Sequence, residues 1–139
     1  MNDDLDARNR DSRDRLARTA ARVRDGMDVA GGWTAAALLA HVAFWDRVAL
    51  ARWRRDPMVL RRIDEPILDL VNEAALPVWR ALPAADAARE AVAAADAFNA
   101  AIAGAAAGAR ERAARASRSF VDRSTHRNEH LDQIERALG

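Results

Sequence analysis

The 139-residue sequence contains no cysteine, no lysine and no tyrosine. The absence of cysteine excludes disulfide bonds, thiolate metal sites and a cysteine nucleophile, and the absence of lysine excludes Schiff-base chemistry. No apolar run approaches the roughly 18 residues that a membrane-spanning helix requires. The polar N-terminus MNDDLDARNRDSRDR also lacks the apolar segment of a secretory signal. We therefore expect a cytoplasmic protein with no membrane partner.

The chain also has almost no net charge, because 22 basic residues offset 21 acidic ones and leave a net charge of +1. Such a balance gives no reason to expect a nucleic acid as the main partner. A DNA-associated stress protein, which would bind duplex DNA with a steep dependence on salt, is thus disfavoured. The length predicts a single domain over residues 1–139.

What the chain has in abundance is alanine, leucine and arginine, which are strong helix formers, whereas β-branched residues are few. The apolar periodicity and the Gly and Pro positions predict helices near 4–25, 35–55, 66–76, 84–103 and 119–138, four of them long. Pro77 is expected to kink or end the short helix, and Gly104 and Gly108 to interrupt the chain before the last one. The predicted fold is all-α, an up-and-down four-helix bundle.

Large anchors are expected to carry a core that is otherwise rich in alanine. The four tryptophans, Trp33, Trp45, Trp53 and Trp79, are the candidates for this role. Trp45 lies one turn beyond His41, where it could also line a cavity. Partial exposure of an Ala/Leu face would favour a homodimer.

The three histidines of the chain are spaced as if for a metal site. His126 and His130 are four residues apart, so a helix would place both rings on one face, about 5–6 Å apart at Cβ. His41 lies on the predicted buried stripe of the second helix and could supply a third nitrogen, leaving coordination positions open for water or substrate. The plainer interpretation is that each histidine is a hydrogen-bonding core residue or is exposed.

Imidazole ligands suit zinc, nickel, iron or copper. Because the protein has no cysteine, catalysis at such a metal would need an external thiol or a metal-bound hydroxide as the nucleophile. The spacing of Asp122 and Gln133 suits contacts to the histidines, although surface exposure is the simpler expectation for both. Residues 126–130 also match the inverzincin pattern H-x-x-E-H with Glu129 as base, but only nine residues remain to supply the further acidic ligand.

A group of arginines follows the second predicted helix and could hold an acidic ligand, although a solvated rim is the simpler interpretation. Its members are Arg52, Arg54, Arg55, Arg61 and Arg62. Arg52 is eleven residues from His41, about 16 Å along a helix axis, which argues against a direct role at the metal.

Two motifs, GWTAAALLAHVAFWD (residues 32–46) and HRNEHLDQIERAL (residues 126–138), resemble the DinB-like superfamily, which includes mycothiol-dependent maleylpyruvate isomerases. The resemblance implies a four-helix bundle, often dimeric, with a divalent metal (Zn, Ni or Fe) held by His41, His126 and His130. Similar proteins often carry an aromatic residue at the position of Arg127, so the lining of the pocket is expected to differ.

The leading functional hypothesis is a metal-dependent enzyme such as a thiol S-transferase using mycothiol or bacillithiol, with a small molecule as its partner. The alternatives are a hydrolase that uses a metal-bound hydroxide and a non-enzymatic protein that binds a metal or small ligand, such as a stress protein. A His41→Ala variant should lose metal binding in either case. Only an enzyme would lose turnover as well.

Overall fold

The computed structural model describes the backbone of residues 2–139 and the side chains of residues 4–139. Six α-helices form within this described part, and they confirm the all-α class. They are α1 (Asn2–Ala20), α2 (Ala35–Arg54), α3 (Glu65–Ala81), α4 (Ala84–Ala103), α5 (Ala107–Ala116) and α6 (Ser124–Leu138). Two short 3-10 turns, Ala30–Gly32 and Arg118–Phe120, precede α2 and α6.

Helices α1, α2, α4 and α6 contact one another in a closed ring around the core. α2 packs most extensively on α4, α1 packs on both α4 and α6, and α2 completes the ring by contacting α6. α3 packs against the outside of α2. Small side chains allow the α2 and α4 backbones to approach closely, because the facing alanines of α4, such as Ala87, Ala91 and Ala94, are fully buried.

The start of α2 is fixed by the turn that precedes it. Thr34 Oγ1 accepts a hydrogen bond from the Ala37 amide at 3.0 Å, as expected for a threonine N-cap. Gly31 and Gly32 have φ values of 77° and 82°, which side chains other than hydrogen rarely permit. This turn brings the Trp33 ring against the ring of His41, with 5.5 Å between their centroids.

Three helix boundaries differ from the prediction. α1 ends at Ala20 rather than near 25, and α6 begins at Ser124 rather than near 119, because a 3-10 turn occupies residues 118–120. α3 continues through Pro77 to Ala81. Pro77 and Glu73 are both exposed, so the carbonyl that loses its helical partner faces solvent.

The segment after Gly104 forms a helix of its own. Gly104 caps the end of α4, and the ten residues of α5 follow after a short break. No single helix in residues 2–139 has the length and apolar composition needed to cross a membrane. Only α4 and α5 taken together reach that composition, and they are bent by 117° relative to each other.

The tryptophans are not the main core anchors that the sequence suggested. Trp79 is buried, but Trp33, Trp45 and Trp53 are only partly buried. The largest fully buried side chains are those of Arg127, Phe98, Leu16, Leu39 and Ile102. A polar residue of α6 therefore occupies the volume expected for an aromatic anchor.

Candidate metal centre

The three histidines lie together between α2 and α6. His41 Nε2 lies 3.1 Å from His126 Nε2 and 3.0 Å from His130 Nε2. One nitrogen of each ring falls within 4.8 Å of the others, an arrangement that could hold a metal ion. The i,i+4 spacing places His126 and His130 on one face of α6, and the buried stripe of α2 turns His41 toward them.

The donor set fits a divalent ion in type and spacing. Two nitrogens bound to tetrahedral zinc at 2.0–2.1 Å would be about 3.3 Å apart, a separation close to those measured from His41. Three imidazoles from two helices also leave further coordination positions free for other ligands.

Burial keeps two of these rings in the form that binds metal. Burial, together with the charges of His130 and Arg123, lowers the pKa of His41 to about 3, although Asn72 has the opposite effect. Burial, followed by the charge of Arg123, also lowers the pKa of His126 well below 6.5. Both rings are therefore neutral near pH 7, and neutral imidazole is the metal ligand.

Aromatic side chains hold the ring of His41. Trp33 and Trp79 contact it edge-on, with centroid distances of 5.5 and 5.3 Å. Its Nδ1 is buried and makes no hydrogen bond of ordinary geometry, although Asn72 is close enough to favour protonation of the ring. The Asn72 amide oxygen instead accepts a hydrogen bond from Trp45 Nε1 at 2.8 Å.

Gln133 orients the ring of His130. Its Oε1 lies 2.7 Å from His130 Nδ1 and accepts the proton of that nitrogen. The proton is then fixed on Nδ1, which leaves the lone pair of Nε2 directed at the other two rings. Metal-binding histidines commonly donate their second nitrogen to such an acceptor.

Arg123 has the opposite effect on His126. Its Nη2 lies 3.1 Å from His126 Nδ1, and a guanidinium can only donate a hydrogen bond. Nδ1 of the neutral ring must accept that bond, so the proton of His126 lies on Nε2. This nitrogen binds a metal only after the proton moves, which requires the Arg123 contact to rearrange.

Neutral rings cannot satisfy both contacts of His41 at once. His130 directs a lone pair at His41 Nε2, whereas His126 directs an N–H at it. A proton on His41 Nε2 would meet the proton of His126, and a lone pair there would meet the lone pair of His130. A cation bound by all three nitrogens removes the conflict once Arg123 releases His126.

A cavity of about 500 Å³ adjoins the histidines between α2, α3 and α6. Its apolar lining includes Trp33, Trp45, Leu68 and Phe120. Its size lies within the range of small-molecule sites. The three histidines therefore line a space large enough for a small ligand.

Other predicted site residues lie elsewhere. Glu129 is exposed and does not line the cavity, so the inverzincin role has no geometric support. Asp122 accepts hydrogen bonds from Ser124 and Arg8 instead of contacting a histidine. Arg127 is fully buried and does not line the pocket.

The arginine group divides into two classes. Arg52 and Arg62 line the cavity, whereas Arg54, Arg55 and Arg61 are exposed and do not. Arg123 was not predicted as a site residue, although its position three residues before His126 is the signal for a shared helical face.

A search of protein-family models, curated proteins and solved structures finds no match to this chain.

Proposed function

We propose that the protein binds one divalent metal ion through His41, His126 and His130 and acts on a small molecule in the adjoining cavity. The observation that carries the proposal is the approach of three imidazole nitrogens, in which His41 Nε2 lies 3.1 Å from His126 Nε2 and 3.0 Å from His130 Nε2. Zinc, nickel and iron all suit three imidazole ligands. The proposed fold is a DinB-like four-helix bundle, in keeping with the ring of contacts among α1, α2, α4 and α6.

The leading candidate activity is transfer of a low-molecular-weight thiol, such as mycothiol or bacillithiol, to a small electrophile. A bound metal would supply a strong lowering of the pKa of a thiol or water in the site. The protein has no cysteine, so the nucleophile must come from solution. Trp33 and Trp45 would exclude water around the reacting groups, and Gln133 would keep the His130 proton away from the metal side of the ring.

The second candidate is a non-enzymatic protein that binds a metal or small ligand reversibly. The contact between Arg123 and His126 favours this candidate, because it competes with metal binding at one of three ligands. A site that holds its metal permanently would instead place a hydrogen-bond acceptor beside His126 Nδ1.

Metal binding by the purified protein tests both candidates. We expect calorimetry to detect one divalent ion per chain in the wild type, and binding to be lost in the His41→Ala and His130→Ala variants. Glu129→Gln is the matched control, because Glu129 is an exposed neighbour of His130 on α6 and should leave the affinity unchanged. Stoichiometric binding that survives both histidine substitutions would place the metal elsewhere.

A screen for conjugation of mycothiol and bacillithiol to electrophiles, with and without metal, separates the two candidates. Metal-dependent turnover that the His41→Ala variant lacks supports the transferase. Metal binding without turnover across a broad set of electrophiles supports the binding protein.

A further inference from the structure

The cavity beside the histidines contains two arginines that come from different parts of the chain. Arg52 belongs to the last turn of α2, and Arg123 immediately precedes α6. Both line the cavity, and their charges lie close enough that Arg123, after burial, helps to lower the pKa of Arg52. Two guanidinium groups that repel each other across a cavity form a site complementary to an anion.

We propose that this cavity binds a small organic oxyanion, a carboxylate or a phosphate, between Arg52 and Arg123. The proposal names the ligand class of the metal-centre cavity, and it rests on the proposed function for the role of that ligand. Planar guanidinium groups bind both kinds of oxyanion through paired N–H donors.

Arg52 is held in place without a carboxylate partner. Its Nη1 donates to the carbonyl oxygens of Val59 and Arg61, and its guanidinium carbon lies 4.8 Å from the centre of the Phe120 ring. No carboxylate among residues 4–139 lies within ion-pair distance of it. A half-buried cation is thus oriented by neutral groups, and its charge stays available to a ligand.

Arg123 is equally fixed and retains a free donor. Its Nε donates to Asp46 Oδ1 at 2.9 Å and its Nη2 to His126, while Nη1 makes no hydrogen bond within residues 4–139. The side chain is only 11% exposed, so a bond from Nη1 to an anion would form with little competition from water.

The charges near the floor of the cavity do not balance. Asp46 is shared by Arg123 and Arg127, and the other buried carboxylate nearby, Asp122, is paired with Arg8 and Arg118, so neither of them forms an ion pair with Arg52. Glu65 and Asp69 also line the cavity, but both are exposed at the start of α3, where water screens them. A divalent ion on neutral imidazoles would increase the positive excess, and an anionic ligand would reduce it.

Binding of small aromatic anions to the 139-residue protein tests this site. Benzoate, phenyl phosphate and the neutral benzamide would be titrated into metal-free and metal-loaded protein, with affinity followed by calorimetry or NMR. In the metal-free protein we expect benzoate or phenyl phosphate to bind at least tenfold more tightly than benzamide. The Arg52→Gln variant should lose about tenfold or more in affinity for the anion, as expected for loss of a charged hydrogen bond.

The matched control is Arg54→Gln, which removes one charge from the same helix end but lies outside the cavity. It should change the affinity for the anion by less than twofold. If Arg52→Gln does not fold, Arg52→Lys replaces it and should weaken binding severalfold, because lysine keeps the charge but not the paired donors.

Equal affinities for benzoate, phenyl phosphate and benzamide, or anion binding insensitive to Arg52, would overturn the inference. Its failure is separable from failure of the metal site, because metal binding is titrated on the same preparations. Metal binding without Arg52-dependent anion binding refutes only the oxyanion site. Arg52-dependent anion binding without metal binding refutes only the proposed metal centre.

Discussion

Two polar clusters lie between α2 and α6, and they differ in how fully their hydrogen bonds are satisfied. In the first cluster, Asp46 accepts from Arg123 and Arg127, and Arg127 also donates to Ser12, to the Asn9 carbonyl and to Asn99. The second cluster, the three histidines, contains a buried nitrogen without a partner and contacts that neutral rings cannot all satisfy. Apart from the unused Nη1 donor of Arg123, the hydrogen bonds of the first cluster are satisfied within residues 4–139, whereas those of the second cluster are not.

The first cluster, which we call the Asp46 layer, divides the hydrophobic core into two parts. Leu16, Leu39 and Leu131 belong to the part on one side, and Phe98 and Phe120 to the part on the other. Because its hydrogen bonds join α1, α2, α4 and α6, a shift of one helix along another would break several of them at once. The layer thereby sets the register in which His41 faces α6, so we assign it a structural role.

Removal of the Asp46 carboxylate should have the largest effect of any change in either cluster. Asp46→Asn leaves the fully buried Arg127 without its counter-charge, and we expect the free energy of unfolding in urea to fall by about 3–5 kcal/mol. Asp96→Asn is the matched control, since Asp96 forms an exposed ion pair with Arg13 and its loss should cost less than about 1 kcal/mol. Similar losses in the two variants would remove the distinction between the Asp46 layer and a surface ion pair.

Metal should stabilise the protein through the histidines and not through the Asp46 layer. At a free ion concentration about 100 times the dissociation constant, the wild type should gain about 2.7 kcal/mol, seen as a rise in melting temperature. His130→Ala should show no such rise, while Glu129→Gln should match the wild type. An equal rise in His130→Ala would mean that the ion binds outside the histidine cluster.

The convergence of the histidines was predictable because helical periodicity determines which side chains share a face on α2 and on α6. His126 and His130 share a face by their spacing, and His41 lies on the stripe that α2 buries. The start of α2 follows equally general rules, because threonine is a favoured N-cap residue and Thr34 Oγ1 accepts from the Ala37 amide. Metal ligation itself stays a prediction.

The Asp46 layer was not predicted, because its partners come from four helices whose relative positions the sequence pattern does not give. Arg127 follows His126 directly and therefore points about 100° away from it around the helix, toward the core. The resemblance to the DinB-like superfamily associated this position with the pocket lining instead. The break before α6 was also missed, because residues 119–123 carry no glycine or proline to mark it.

Gln133 should contribute more to metal binding than to folding. Gln133→Leu removes the acceptor that fixes the His130 proton, and we expect metal affinity measured by calorimetry to fall about 10–100-fold. Asp132→Asn provides a control next to it, because Asp132 pairs with Arg15 on α1 and faces away from the centre. Unchanged metal affinity in Gln133→Leu would show that metal binding by His130 does not depend on the hydrogen bond to Gln133.

Arg123 joins the two clusters, and its removal should produce the smallest and most informative effect. Arg123→Met frees His126 Nδ1 and removes a positive charge beside the metal centre, so metal affinity should rise about 3–10-fold, the equivalent of about one hydrogen bond. Stability should fall by less than in Asp46→Asn, because Asp46 keeps Arg127 and the Arg123 amide keeps its bond to Asn9. Arg123→Lys, which retains the charge, should bind metal less tightly than Arg123→Met. Weaker metal binding in Arg123→Met than in the wild type would instead mean that Arg123 supports the histidine cluster, and the two clusters would then form one structural unit.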